Sequence, residues 1–136
     1  MGRARAVAVR VAVLALAAVA AAWALNAYTA VYVGGGSMSP ALRRGDLVVV
    51  RRSVGDIRPG EIVLVDKPGW PDGVLHRVID VTFDDRVVLR GDANPVPDLD
   101  PAPLTSIRGV AVLLLPTGRL LNVVEGVARM VQSRVT

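Results

Sequence analysis

Apolar residues follow three different patterns along this chain. From Val11 to Val33 they run almost unbroken, rich in Ala and without a charge. A helix of those 23 residues is roughly 34 Å long, enough to cross a hydrocarbon core of about 30 Å. Beyond Val33 the apolar runs shorten and are separated by Gly, Pro and Asp. That punctuation predicts five strands, near Asp46 to Arg52, Glu61 to Asp66, Val74 to Phe83, Arg86 to Arg90 and Ile107 to Leu115. Arg58-Pro59-Gly60 and the stretch from Lys67 to Gly73 read as turn and loop, Asp84-Asp85 as a tight hairpin turn. Four prolines between Asn94 and Pro103 predict an irregular segment. After Thr117 the period changes again. Leu120, Leu121, Val124, Val127, Met130 and Val131 recur at helical spacing opposite Arg119, Glu125, Arg129 and Arg134, an amphipathic helix that can dock on the sheet or lie on a lipid surface.

These patterns divide the chain into a basic N-terminus at 1–10, a transmembrane anchor at 11–33, a β domain at 34–116 and a C-terminal amphipathic helix at 117–136. The strands lack the intervening helices that a parallel sheet needs, so the domain is expected to be mainly antiparallel and to curl toward a partly closed barrel.

Charge fixes the expected orientation. The net charge is +4, but residues 1–42 hold Arg3, Arg5 and Arg10 with no acid, leaving 13 basic against 12 acidic groups in the rest. Arginines before the apolar run and none directly after it predict a cytoplasmic N-terminus and an outer β domain in a single-pass protein. Trp23, Tyr28 and Tyr32 fall toward the far end, where aromatic rings favour the lipid-water interface. A cleaved secretory signal is the competing reading, with Ala27, Thr29 and Ala30 as small residues near a cut; the length of the apolar run favours the anchor. The nearly neutral outer part argues against nucleic acid as a partner.

With 136 residues and no Cys, the chain has no disulfide, thiolate metal site or cysteine nucleophile. One His and scattered aspartates give no ligand pair at metal spacing, so neither a metal nor a cofactor is expected. His76 is the one side chain whose ordinary pKa, about 6.5, suits a base near neutral pH. A lone strand histidine is more often structural. Ser37, in Gly34-Gly35-Gly36-Ser37-Met38-Ser39-Pro40 just beyond the apolar run, is the candidate nucleophile. The glycines allow a tight turn there and Pro40 fixes its exit, while an available Ser37 N–H is the donor that an oxyanion needs. By itself the segment also has the composition of a flexible linker. Lys67, the single lysine, sits beside Pro68-Gly69 and is expected to face solvent.

Read in order, five blocks carry a resemblance. Gly36-Ser37-Met38-Ser39-Pro40, Arg44-Gly45-Asp46-Leu47-Val48, Gly60-Glu61-Ile62-Val63, His76-Arg77-Val78-Ile79 and Gly91-Asp92-Ala93-Asn94 resemble type I signal peptidase over about residues 36–98. His76 before Arg-Val-Ile is similar to the branch with a Ser-His pair, found in the endoplasmic reticulum, in archaea and in some bacteria. The common bacterial branch has Lys at that place. The resemblance implies Ser37 as nucleophile, His76 as general base and Asp98 as the acidic partner. Asp92 is a second retained position, and an alternative or additional acid; spacing does not choose among Asp92, Asp98 and Asp100. Gly36, Ser37, Met38 and Pro40 would form the substrate-binding and oxyanion segment, with Gly35 standing where a hydroxyl residue is common.

The implied activity is that of a membrane-bound serine endopeptidase. Its partners would be the lipid bilayer and signal-peptide-bearing preproteins, cut after small residues in an Ala-x-Ala-like site; the sequence identifies no partner subunits. The alternative is a non-catalytic membrane-anchored β domain in which Ser37 belongs to a juxtamembrane linker.

Overall fold

A computed structural model of the chain describes residues 2–132. It consists of an apolar N-terminal helix, an antiparallel β domain and a short C-terminal helix. Helix α1 is Gly2–Ala27, of mean hydropathy 2.2 in its most apolar stretch, with no buried residue. It is long and apolar enough to cross a membrane. Arg3, Arg5 and Arg10 lie within it.

The apolar run does not stay helical to Val33. Tyr28–Tyr32 form strand β1, paired antiparallel with β2, Leu47–Arg51. Tyr28, Thr29, Val31 and Tyr32 are β-branched or aromatic and fit a pleated surface better than a helix. The pairing of Tyr28 with Arg51 and of Tyr32 with Leu47 supplies the hydrogen bonds that a continued helix would have made. Trp23 on α1 meets Tyr28 on β1 edge-to-face at 6.3 Å between centroids, so helix passes into strand without a linker.

The five strands expected from alternation are all present. After β2 come β3, Ile62–Lys67, and β4, Trp70–Val81; β5 is Arg86–Arg90 and β7 is Ile107–Leu115. A two-residue strand β6, Ala102–Pro103, falls in the segment expected to be irregular and pairs with Arg86 and Val87. The sheet order is β1-β2-β7-β3-β4-β5-β6 and every pairing is antiparallel. The edges are therefore β1 and β6, and the sheet is not closed by a ladder between them.

Central β3 is buried on both faces. Ile62 and Leu64 join Val33, Met38, Leu42, Val48, Val50 and Leu75 in one core, while Val63 and Val65 join Val78, Val87, Leu89, Ile107 and Val110 in a second. The first is roofed by the turn after Ser37, through Met38 and Leu42. The second is enclosed by the curl of β4, β5 and the start of β7.

The C-terminal helix α2, Thr117–Gln132, is held by its first turn. Asp46, 1% exposed, accepts the Arg43 N–H at 2.9 Å and the Gly118 N–H at 3.1 Å, and the Thr117 hydroxyl donates to the Gly45 carbonyl at 2.7 Å. Gly45 has φ +92°, and an added Cβ would sit 2.9 Å from Gly118 Cα, so this junction accepts only glycine without strain. Beyond it Leu120, Val123 and Val124 are exposed, so this part of the apolar face does not dock on the sheet; Arg134, expected on the polar face, lies outside the described residues. Replacing Asp46 with Ala should destabilise the fold by about 1 to 3 kcal/mol, because the buried Gly118 N–H and the part-buried Arg43 N–H lose their acceptor. Chemical denaturation in detergent checks this, and an unchanged midpoint would contradict it.

Candidate active site

Ser37 stands on a turn anchored from below. Met38 and Leu42, 2% and 1% exposed, plug the core on either side of the bend, and the Leu42 N–H donates to the Met38 carbonyl at 2.9 Å. The Ser37 carbonyl accepts the Ala93 N–H at 2.8 Å, which ties the turn to the loop that follows β5. The closest approach is at Gly91. A Cβ added there would lie 2.7 Å from the Ser37 carbonyl oxygen and 3.0 Å from Ser37 Cβ. The three glycines before Ser37 play a different part from the one expected. An added Cβ at Gly34, Gly35 or Gly36 meets nothing within 4 Å and none of them has positive φ. They leave open space beside the serine; the tight packing is against Gly91.

His76 comes from the middle of β4, opposite Val63 of β3. It is 4% exposed, and its Nδ1 lies 2.9 Å from Asp98 Oδ2. Asp98 is brought there by the loop folding back along β5, where its N–H donates to the Leu89 carbonyl at 2.8 Å. Spacing left three aspartates open, and the structure separates them. Asp92 is gripped by Arg77, whose Nε and an Nη each donate at 2.7 Å to its two oxygens. Another Arg77 Nη donates to the Gly60 carbonyl at 2.8 Å. Asp100 is exposed. Arg77 was not singled out in the sequence, although its place next to His76 in a strand puts it on the opposite face, where it clamps the Gly91–Asn94 turn.

Electrostatics follow the contacts. The Arg77 hydrogen bond holds the Asp92 carboxyl below the ordinary value of 3.8, against the opposing effect of burial. For Asp98, burial pushes the carboxyl up, but hydrogen bonds from Lys67 and His76 outweigh it and leave it lowered from 3.8. Both carboxylates therefore stabilise the fold above that value, and their contribution is lost as pH falls below it.

Lys67 does not simply face solvent. It is the last residue of β3, and its Nζ donates to Asp98 Oδ2 at 2.9 Å with the side chain 42% exposed. Alternation explains this. Val63, Val65 and Lys67 share the β3 face that meets His76.

Ser37 and His76 line one open cleft of about 1040 Å³, together with β1 from Thr29 to Tyr32, Gly34, Gly35, Gly36, Met38, Leu64, Lys67, Trp70 and Leu75. Met38 presents its buried side chain to the floor, whereas Pro40 is not among the lining residues; its carbonyl instead accepts Arg119 at 3.0 Å. Among the described residues no group of three or more His, Asp or Glu gathers where a metal ion could be held.

The arrangement is an imidazole oriented by a carboxylate, in a cleft shared with a serine on a rigid turn. An oriented imidazole in one cleft with a serine hydroxyl is an arrangement that serine hydrolysis can use. The pattern of the family described as Peptidase S24-like matches residues 13–112; the chain belongs to this family and is a type I signal-peptidase-like member of it. It is similar to the signal peptidase complex catalytic subunit SEC11 of Komagataella phaffii, at 36% identity over 77 residues, which is 51% of this chain and 45% of the relative. It is also similar to SEC11C of Homo sapiens and of Canis lupus familiaris, each at 41% identity over 73 residues, 50% of this chain and 38% of the relative. The chain thus spans less than half the length of these relatives.

Proposed function

We propose that the chain is a membrane-anchored serine endopeptidase that removes signal peptides from exported preproteins after small residues of the Ala-x-Ala kind. The observation that carries this reading is the 2.9 Å contact between Asp98 and the chain's single His, in the cleft that also holds Ser37.

In the proposed mechanism Asp98 accepts a hydrogen bond from the His76 Nδ1–H, which fixes the tautomer and leaves the Nε2 lone pair to take the proton of the Ser37 hydroxyl as it attacks the scissile carbonyl. The imidazolium returns that proton to the departing amine, and the acyl-enzyme is hydrolysed by water activated by the same nitrogen. Backbone N–H groups of the Gly36–Met38 turn stabilise the oxyanion; Gly35 adds no side-chain donor, which elsewhere is worth about 3 to 4 kcal/mol.

Substrate geometry is supported by β1. It is an edge strand and it lines the cleft, so an extended peptide can pair along it and pass the open space beside Gly34–Gly36 to reach Ser37. Main-chain hydrogen bonds supply affinity in such strand addition, and shallow pockets at alternate positions select small side chains. The span lies within α1, with Arg3, Arg5 and Arg10 at its cytoplasmic end and the β domain on the outer face. The cleft then opens beside the membrane surface, where a translocated signal peptide presents its cutting site.

The test is cleavage of a preprotein bearing an Ala-x-Ala site by the full chain in detergent with phospholipid, wild type beside Ser37→Ala. Cutting after the second Ala is expected, with a loss of about 10⁴-fold or more in the variant. A folded wild type that never cuts, or a variant that cuts as well, would leave the non-catalytic anchored domain as the better reading.

A further inference from the structure

We infer that Lys67 is a positioning residue of this site: its ammonium and the His76 ring share one carboxylate oxygen of Asp98, so that the lysine pins the acid on the imidazole and offsets its charge. This rests on the reading of Ser37, His76 and Asp98 as the reacting set. The geometry is specific. Lys67 Nζ and His76 Nδ1 are each 2.9 Å from Asp98 Oδ2, and Asp98 is 13% exposed. The chain places its single lysine at the end of β3, on the face that His76 also uses, which brings the ammonium to the edge of the cleft rather than into the loop beyond.

The other charged and titratable groups around His76 do not duplicate this effect. From the loop after β5 comes Asp92, whose charge is taken up by Arg77, with Arg90 also acting on it. Tyr32 of β1, Arg52 after β2, Asp72 of β4 and Arg108 of β7 line the same cleft; Arg108 is paired with Asp66. Only Lys67 and His76 donate to Asp98 through side chains among the bonds described.

A carboxylate shared in this way holds its proton less readily than one facing the imidazole alone, and a nearby cation opposes a second positive charge on the ring. Without Lys67 the Asp98–His76 pair should take up a proton at higher pH. A proton on that pair removes the base that Ser37 needs, so the acid limb of cleavage moves upward with it.

The experiment compares full-length wild type, Lys67→Met and Lys67→Arg by two readouts. Because the chain has one His, the imidazole C–H signals in its NMR spectrum report this site alone and need no activity. Their titration should move to higher pH in Lys67→Met and stay at the wild-type position in Lys67→Arg. In the cleavage assay Lys67→Met should lose roughly three- to tenfold at about pH 6 and recover at about pH 8, whereas Lys67→Arg should follow the wild type. Superimposable imidazole titrations for wild type and Lys67→Met, or an equal displacement in Lys67→Arg, would overturn the inference. If no form cleaves, the functional reading fails by itself and the imidazole titration still decides the role of Lys67.

Discussion

His76→Ala is expected to lower cleavage by about 10⁴-fold or more, as loss of the base does in serine hydrolases built on a shared catalytic unit. The chain holds no second imidazole to substitute for it. His76→Lys should be almost as inactive at neutral pH, although a related branch of peptidases uses a lysine at this place. An amine is a base only after its pKa falls several units from about 10.4. In this site Asp98 Oδ2 lies 2.9 Å from the ring that the amine would replace, and a carboxylate at that range stabilises the ammonium form. The pH dependence of cleavage by purified variants tests both statements. Near-wild-type cutting by His76→Ala would remove the proposed base, and efficient cutting by His76→Lys at neutral pH would mean that the pocket already depresses an amine.

Gly91→Ala should harm cleavage far more than it harms the fold. Its Cβ would lie 2.7 Å from the Ser37 carbonyl oxygen, 2.9 Å from Asn94 Nδ2 and 3.0 Å from Ser37 Cβ. The Asn94 amide can swing away, but Ser37 is fixed between the buried Met38 side chain and the bond from Ala93. Relief therefore moves the serine. A displacement near 1 Å costs about 100-fold in rate when the reacting atoms must be aligned, whereas overpacking one methyl costs only about 1 to 3 kcal/mol of stability. A folded variant with cleavage down roughly 100-fold is the expected result. Wild-type rates would show that the turn can yield without moving the hydroxyl.

Much of this architecture was visible in the amino-acid pattern, and the misses have physical causes. Strands β2, β3, β4, β5 and β7 announced themselves as short apolar runs bounded by Gly, Pro and Asp. Strand β1 was hidden because Tyr28–Tyr32 extend the apolar composition of α1 without a break, so hydrophobicity continues while the backbone changes from helix to strand. Strand β6 was masked by prolines; at a sheet edge a proline is tolerated because no neighbouring strand needs its N–H. Ser37 and His76 could be singled out as candidates by order and motif. Asp98 could not be separated from Asp92 by spacing, since the choice depends on the loop folding back along Leu89 and on Arg77 engaging the other carboxylate. Lys67 was obscured by its Pro-Gly neighbours, yet its phase with Val63 and Val65 carried the information.

The two borders of the sheet are unlike, and the difference bears on how the protein survives at high local concentration. Fibrillar growth by strand stacking needs an incoming template and an outgoing one. Here β1 offers a full, uncapped ladder, but β6 ends after Ala102–Pro103 beside a proline-rich stretch that cannot seed another strand. An added strand therefore meets five residues of β1 on one side and only the two residues of β6 on the other. The asymmetry favours pairing at β1 over pairing at β6, so border-to-border stacking of copies is disfavoured.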